Sequence, residues 1–329
     1  MTEILVSENV AGAAMDRLRA EFATRIEPEL WRDPAQLIGQ LAGVRALIVR
    51  NQTRVTRELL AAAPSLEVVG RAGVGLDNVD LAAASEFGVV VALTPEQNSI
   101  SVAELVIGLI LSLARRIPAA DRDTRQGGWK RQVFTGIEIH GRRLGVVGLG
   151  RIGAATAARA RALGMEIVAY DPLLDGDSLR AMECGARLLP LEEVLATSDF
   201  VTCHLPETPL TAGLFNAARF ALMRPTAYFI NTARGGVVDE PALLAALQSG
   251  ALAGAALDVR ATEPPPSDAL TAALSGMDNV ILLPHIGAFT VEGQRRVVNS
   301  ICRDVSAVLR GEPAQFYANF PRPIKTGGR

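Results

Sequence analysis

Of the three histidines in this 329-residue chain, His285 in "LLPHIGAFT" (282–290) stands where proton chemistry is expected. It follows an apolar run at the carboxyl end of the last strand-like segment, and open α/β sheets hold ligands outside the carboxyl ends of their strands. Imidazole is the side chain best suited to move a proton near neutral pH. It works better when a carboxylate fixes its tautomer and stabilises the imidazolium. Glu263, in "ALDVRATEPPP", follows another strand end and is the candidate carboxylate, with prolines behind it to stiffen the loop. Arg234, in "FINTARGGVVDE", follows a third; its planar, permanent charge can grip a carboxylate through two parallel hydrogen bonds. Such a set suits hydride transfer from an alcohol carbon, which needs a base for the hydroxyl proton and a cation to orient the substrate. Asp258 closes "GAALD" and either accepts a bond from a nicotinamide carboxamide or caps a turn. His204, after "FVTC", suits a wall of an adenine pocket, and His140, in "IEIHGRR", suits a solvated loop.

The hydride's partner is indicated by "RLGVVGLGRIGAATAARARALGMEIVAYD". Gly148, Gly150 and Gly153 have G-x-G-x-x-G spacing between an apolar strand and an alanine-rich helix, and Asp171 ends the next strand, 21 residues after Gly150. Gly148 permits the tight turn, Gly150 lets the backbone approach a pyrophosphate, and Gly153 lets helix and strand pack closely. The helix N-terminus offers unpaired N–H groups to the anion. A carboxylate at 171 accepts bonds from ribose hydroxyls and repels a 2′-phosphate, and Pro172 follows where an NADP site would carry a basic residue. NAD is therefore expected over NADP.

These residues need sheets to hold them. "EILVS", "RALIVR", "LEVVG" and "GVVVA" read as strands in the first third, with helical segments between them. The pattern restarts with "RLGVVG", "EIVAY", "FVTCHL", "AYFINT", "GAALDV" and "VILLP". Strands alternating with helices imply two doubly wound parallel-sheet α/β domains with right-handed crossovers. The boundary lies in the helical stretch beginning "SISVAEL", and a last helix from about Val291 to Leu309 has no sheet of its own and is expected to return to the first domain. The tail "KTGGR" is expected to fray. With 49% hydrophobic and 21% charged residues and a net charge of −2, no nucleic-acid or membrane-surface footprint is expected. "LVIGLILSLA" is about half the length of a bilayer span, and the N-terminus lacks a signal-peptide pattern. Cys184, Cys203 and Cys302 form neither a disulfide framework nor a metal-ligand pattern, so a reduced, cytoplasmic setting without a metal is expected.

Six segments, in order and spacing, resemble the D-2-hydroxyacid dehydrogenase family across essentially the whole chain: "GRAGVGLDNVD", "NSISVAELVIGLILSLAR", "GRRLGVVGLGRIG", "NTARGGVVDE", "GAALDV" with its later "EP", and "PHIGAFT". The resemblance implies an Arg–Glu–His catalytic set on Arg234, Glu263 and His285. It also implies a substrate carboxylate bound by backbone N–H groups around Gly73, Val74 and Gly75. The expected cofactor site comprises Gly148, Gly150, Arg151, Ile152, Gly153, Asp171, His204, Leu205, Pro206, Thr232, Ala233, Asp258 and Gly287. A flavodoxin-like substrate domain (1–97 and 286–329) with a Rossmann domain (98–285) inserted in it is implied, as is a homodimer formed through the helix from about Ser99 to Arg115.

Within the family, "GGWKRQVFTGIEIHGRRLG" is similar to the phosphoglycerate dehydrogenase branch at Trp129, Arg131, Phe134, Gly136 and Glu138. "IVRNQT" resembles that branch's arginine loop, with Arg50 a candidate for the substrate's distal anion, whereas Asn51 and Phe289 depart from the serine and small residue expected there. The chain stops where longer members add a regulatory domain, so serine feedback is not expected. The expected substrate is a small D-2-hydroxy acid or 2-oxo acid, phosphoglycerate first, with hydroxypyruvate, glyoxylate and sulfolactate as alternatives. A non-catalytic NAD-sensing dimer is the rival of a different class.

Overall fold

Short β-branched runs bury both faces only when helices cover both. The chain is built this way in the computed structural model, which describes residues 2–175 and 178–319; "KTGGR" lies outside the described residues. Two compact units form: one runs to Asn98 and resumes at Thr290, and the other is Ser99–Phe289.

The first unit holds a five-stranded parallel sheet of β1 (Ile4–Val6), β2 (Thr24–Ile26), β3 (Ala46–Val49), β4 (Val68–Arg71) and β5 (Val90–Ala92), in the order β2-β1-β3-β4-β5. This is the flavodoxin-like order, with its switch point between β1 and β3. Successive side chains point to opposite faces. Ile4, Val6, Ile48 and Val68 therefore share a core with the helices Ala13–Glu21 and Val291–Leu309. Leu5, Leu47, Val49 and Val69 pack on the other face against Leu37, Leu59 and Ala83 of three shorter helices. The helix Val291–Leu309 seats directly on β4. A Cβ at Gly70 would come within 2.7 Å of Val305 and 3.1 Å of Ile301. The β5 edge is closed by an antiparallel bridge from Ala92 to Tyr317 and by Asn319, which accepts the Val91 N–H at 2.8 Å.

The second unit holds β6 (Arg143–Val147), β7 (Glu166–Tyr170), β8 (Arg187–Leu188), β9 (Phe200–Cys203), β10 (Tyr228–Asn231), β11 (Gly254–Leu257) and β12 (Val280–Leu282), ordered β12-β11-β10-β9-β6-β7-β8, all parallel. The chain leaves β6 in one direction to β7 and later returns to its other side with β9, which is the dinucleotide-binding topology. Leu144, Val146, Phe200 and Ile230 face a core shared with Val106 and Ile110 of the helix Ser99–Ala114. Val147, Val201, Cys203 and Phe229 face Val194 and Leu243 on the other side. The run "LVIGLILSLA" thus lies in a helix of 16 residues, and among the described residues no helix is long and apolar enough to cross a membrane.

Two strands are absent from the sequence reading. β2 has three half-buried residues with an arginine at its centre, and β8 has two residues, one exposed. Both lie at sheet edges, where only one neighbour pairs and no continuous apolar run is required.

Candidate active site

In the second unit, the carboxyl ends of four adjacent strands carry the residues with chemistry: His204 after β9, Arg234 after β10, Asp258 after β11 and His285 after β12. Asn231, the buried last residue of β10, holds the arginine turn. Its Nδ2 donates to the Arg234 carbonyl at 2.9 Å and its Oδ1 accepts the Ala233 N–H at 3.0 Å. Arg234 is extended there, and its Nη1 donates to the Ala233 carbonyl at 2.7 Å.

His285 stands on a left-handed backbone, φ 57°. Histidine tolerates this region better than most residues, but it still has a cost. Asp258, 1% exposed, fixes the turn with both carboxylate oxygens: Oδ1 accepts the Ile286 N–H and Oδ2 the Gly287 N–H, each at 2.8 Å. The His285 N–H donates to the Asp258 carbonyl, also at 2.8 Å. Asp258 therefore performs the turn-capping role, and each oxygen keeps a second lone-pair direction. A Cβ on Gly287 would lie 3.0 Å from Asp258 Oδ2, so glycine lets the carboxylate in close.

The imidazole meets Glu263 at 2.7 Å, Nδ1 to Oε2. A carboxylate only accepts, so Nδ1 carries the proton and Nε2 is the nitrogen with a lone pair to offer as a base. The other oxygen, Oε1, accepts the Arg260 N–H at 3.2 Å. Burial pushes the Glu263 carboxyl up, but the His285 hydrogen bond and charge, the Arg260 N–H and the Arg234 charge outweigh it. Its pKa is held below the ordinary glutamate value. His204 is different: desolvation lowers it to about 3, its Nε2 lies 3.1 Å from Thr202 Oγ1, and it stays neutral. His140 packs on the turn at Gly164, remote in sequence from these strand ends.

The glycine loop tests the fit to a dinucleotide. Gly148 has φ 94°, and a Cβ there would lie 2.9 Å from the His204 carbonyl carbon. Gly153 touches the Gly148 carbonyl so closely that any side chain would overlap it, whereas a Cβ at Gly150 meets nothing within 4 Å. That open space lies at the N-cap of the helix Arg151–Ala162, where Arg151 and Ile152 form its first turn. Asp171 braces the loop, its Oδ2 accepting the Leu149 N–H at 2.8 Å and its Oδ1 the Leu173 N–H at 2.9 Å. Buried Leu205 and exposed Pro206 follow His204, and Thr232 and Ala233 lie in the turn before Arg234. The residues fit an anionic dinucleotide.

In the first unit, Arg50 and Glu8 follow β3 and β1 at the switch point. Buried Glu8 accepts the N–H groups of Arg50 (2.7 Å), Thr53 (2.9 Å) and Gln52 (3.2 Å), so one carboxylate shapes the whole "RNQT" loop. Arg50 Nη1 donates to the Asn9 carbonyl at 3.2 Å, and burial lowers the pKa of its guanidinium against the opposing charge of Glu8. Gly73, Val74 and Gly75 lie just past β4, where the Gly73 carbonyl accepts the Thr94 N–H at 3.0 Å. The Arg71 guanidinium lies across the Cα of Gly73, in space a side chain there would fill. Arg71 and Glu8 carry the same sequence signal as Arg234, a charged residue at a strand's carboxyl end beside a turn, and are additions to the residues named from the sequence.

The model of the "D-isomer specific 2-hydroxyacid dehydrogenase, NAD binding domain" family matches residues 107–287. A D-3-phosphoglycerate dehydrogenase from Archaeoglobus fulgidus is 41% identical over 97% of this chain and 59% of its own length. The chain thus spans little more than half of the length of the curated relatives it matches. Among solved structures, the TT0316 protein from Thermus thermophilus has a TM-score of 0.89 and 34% identity, covering 96% of this chain and 100% of that one. A D-lactate dehydrogenase from Aquifex aeolicus, complexed with NAD and lactic acid, has a TM-score of 0.86 and 27% identity over 97% of this chain and 100% of that one.

Proposed function

Since the chain belongs to the D-isomer specific 2-hydroxyacid dehydrogenase family, with an NAD-binding domain, we propose that it interconverts a small D-2-hydroxy acid and its 2-oxo acid. The observation that carries this is the 2.7 Å pair of His285 and Glu263, at the carboxyl ends of the same sheet whose β6 leads into the glycine loop. Bound NAD supplies the hydride acceptor, or as NADH the donor. In the oxidising direction His285 Nε2 takes the hydroxyl proton as C2 gives up its hydride, and Glu263 stabilises the imidazolium. In the second unit Arg234 is assigned to the substrate carboxylate; in the first, the amides of Gly73, Val74 and Gly75 are the anion-binding candidates. Asp171 binds the adenosine ribose and favours NAD over NADP, and Asp258 offers its remaining lone pairs to the carboxamide.

Arg50 and Arg71 are assigned to a second anionic group, which favours 3-phosphoglycerate over hydroxypyruvate, glyoxylate and sulfolactate. The unit up to Asn98 with the return from Thr290 is assigned to substrate, and Ser99–Phe289 to the nucleotide. A homodimer is assigned to the helix Ser99–Ala114 and the exposed Ile100, Ile117, Trp129 and Val133, and the site of action to the cytoplasm.

A panel of phosphorylated, sulfonated and uncharged 2-oxo acids, read by NADH absorbance, tests this reading. Turnover is expected, fastest with the phosphorylated member. No turnover with any 2-oxo acid would overturn it in favour of a non-catalytic NAD sensor.

A further inference from the structure

Two residues outside the set above form an ion pair inside the second unit. Arg260 Nε and Nη2 donate to Glu240 Oε1 and Oε2 at 3.0 and 2.8 Å, and both side chains are only 7% exposed. A buried charge is costly unless paired and hydrogen-bonded, and a two-pronged arginine–carboxylate contact is the geometry that satisfies both partners. Stability alone does not explain it, because a well-packed apolar pair of similar volume is often no less stable than a buried ion pair.

An apolar pair would not supply direction. Glu240 Oε1 also accepts the Ala261 N–H at 2.8 Å, so the carboxylate grips both the side chain of residue 260 and the peptide that follows it. The N–H of Arg260 donates in turn to Glu263 Oε1, whose other oxygen holds His285. On the opposite side, Gly235, the residue after Arg234, lies flat on the Arg260–Ala261 peptide; any side chain at 235 would overlap the Arg260 carbonyl. Glu240 itself begins the helix that follows the arginine loop. The pair therefore sits where the loop carrying Arg234 meets the loop carrying Glu263.

We infer that Glu240 and Arg260 are positioning residues that staple these two loops together and aim Glu263 at Nδ1 of His285. The inference rests on the roles proposed above for Arg234, Glu263 and His285. Without the staple, the Glu263 carboxylate can rotate toward water, and the imidazole loses its fixed tautomer.

The test uses the full chain with both charges removed, Glu240→Leu with Arg260→Met, which keeps the volume and leaves no lone buried charge. Arg260→Lys, which keeps the charge but loses the fork, is the second variant and carries the same readouts if the double variant does not fold. ¹⁵N spectra of the imidazoles, with His285 assigned by its loss in His285→Ala, report the tautomer directly. The expected result is a change from one Nδ1–H form to a mixture. It is accompanied by a kcat lowered about ten- to a hundredfold, the scale of a misplacement near 1 Å, and an NADH KM within about threefold of wild type. Folded variants with unchanged His285 ¹⁵N shifts and wild-type kcat would overturn the inference. Absence of turnover in the wild type would instead sink the enzymatic reading, and the ¹⁵N comparison would still decide the positioning role.

Discussion

Replacing Asp258 with asparagine tests whether the turn beneath His285 is held by charge. The carboxylate accepts two backbone N–H bonds at 2.8 Å in a place 1% exposed. Bonds to a charged acceptor contribute about 1.5–3 kcal/mol each. Two of them, roughly 3–6 kcal/mol, outweigh the left-handed backbone of His285, which costs about 1–2 kcal/mol. An amide keeps one acceptor oxygen and turns its NH₂ toward the second N–H. The remaining bond is then of the same size as the conformational cost, and the turn is populated only part of the time. With the two nearly balanced, the competent turn is populated about half of the time, and kcat falls roughly two- to threefold. Urea unfolding followed by circular dichroism should show about 1.5–3 kcal/mol less stability, and steady-state kinetics with NADH and a 2-oxo acid give kcat. Unchanged stability together with unchanged kcat would refute the reasoning. A loss of stability with wild-type kcat would show that the turn does not position His285.

His285→Ala should lower kcat by about 10²–10⁴-fold and leave NADH binding, followed by fluorescence titration, intact. Wild-type turnover would remove His285 from the chemistry. Arg234→Lys keeps a charge but loses the fork, so KM for the 2-oxo acid should rise; unchanged KM and kcat would exclude its role. Asp171→Ala leaves the Leu149 N–H without its acceptor and removes the carboxylate that repels a 2′-phosphate, so kcat/KM with NAD should fall relative to that with NADP. Glu263 has a depressed pKa in the folded chain, so its contribution to stability is present above the ordinary value of 4.5 and is lost as pH falls through the lower folded value. The stability difference between wild type and Glu263→Gln should therefore be constant above about pH 5.5 and shrink as the medium becomes more acidic. A difference independent of pH down to the acid transition would contradict the assigned pair.

What the sequence disclosed follows from how strongly each feature is written in residue type. Among the described residues, ten of the twelve strands are legible because strands buried on both faces are largely apolar, as β1 and β3 are throughout. β2 and β8 are short edges with no such requirement. His285 and Glu263 could be nominated from strand ends, yet their 2.7 Å contact depends on loops that meet only in the folded unit. Asp258 could be read as binding the carboxamide or capping a turn, and only the backbone path shows it capping the His285 turn. Arg260 and Glu240 carry no signal in the sequence. An arginine three residues past a strand reads as solvated, and its partner is twenty residues earlier in the chain, on a helix.

The seating of Val291–Leu309 on β4 also sets an order of events during synthesis. The five strands of the first unit, with the helix Ala13–Glu21, leave the ribosome long before the second helix that covers the same face, because the whole of Ser99–Phe289 is made in between. At about 5–20 residues per second, that face, with Ile48 and Val68 on it, waits roughly 10–40 s for the rest of its cover. For that interval the nascent sheet presents an apolar surface that includes the bare backbone of Gly70, a surface suited to chaperones or to unwanted partners. The second unit, whose strands and covering helices are contiguous in the chain, has no such wait. Substitutions that weaken the late helix should then reduce the yield of folded protein before they affect the activity of the molecules that do fold.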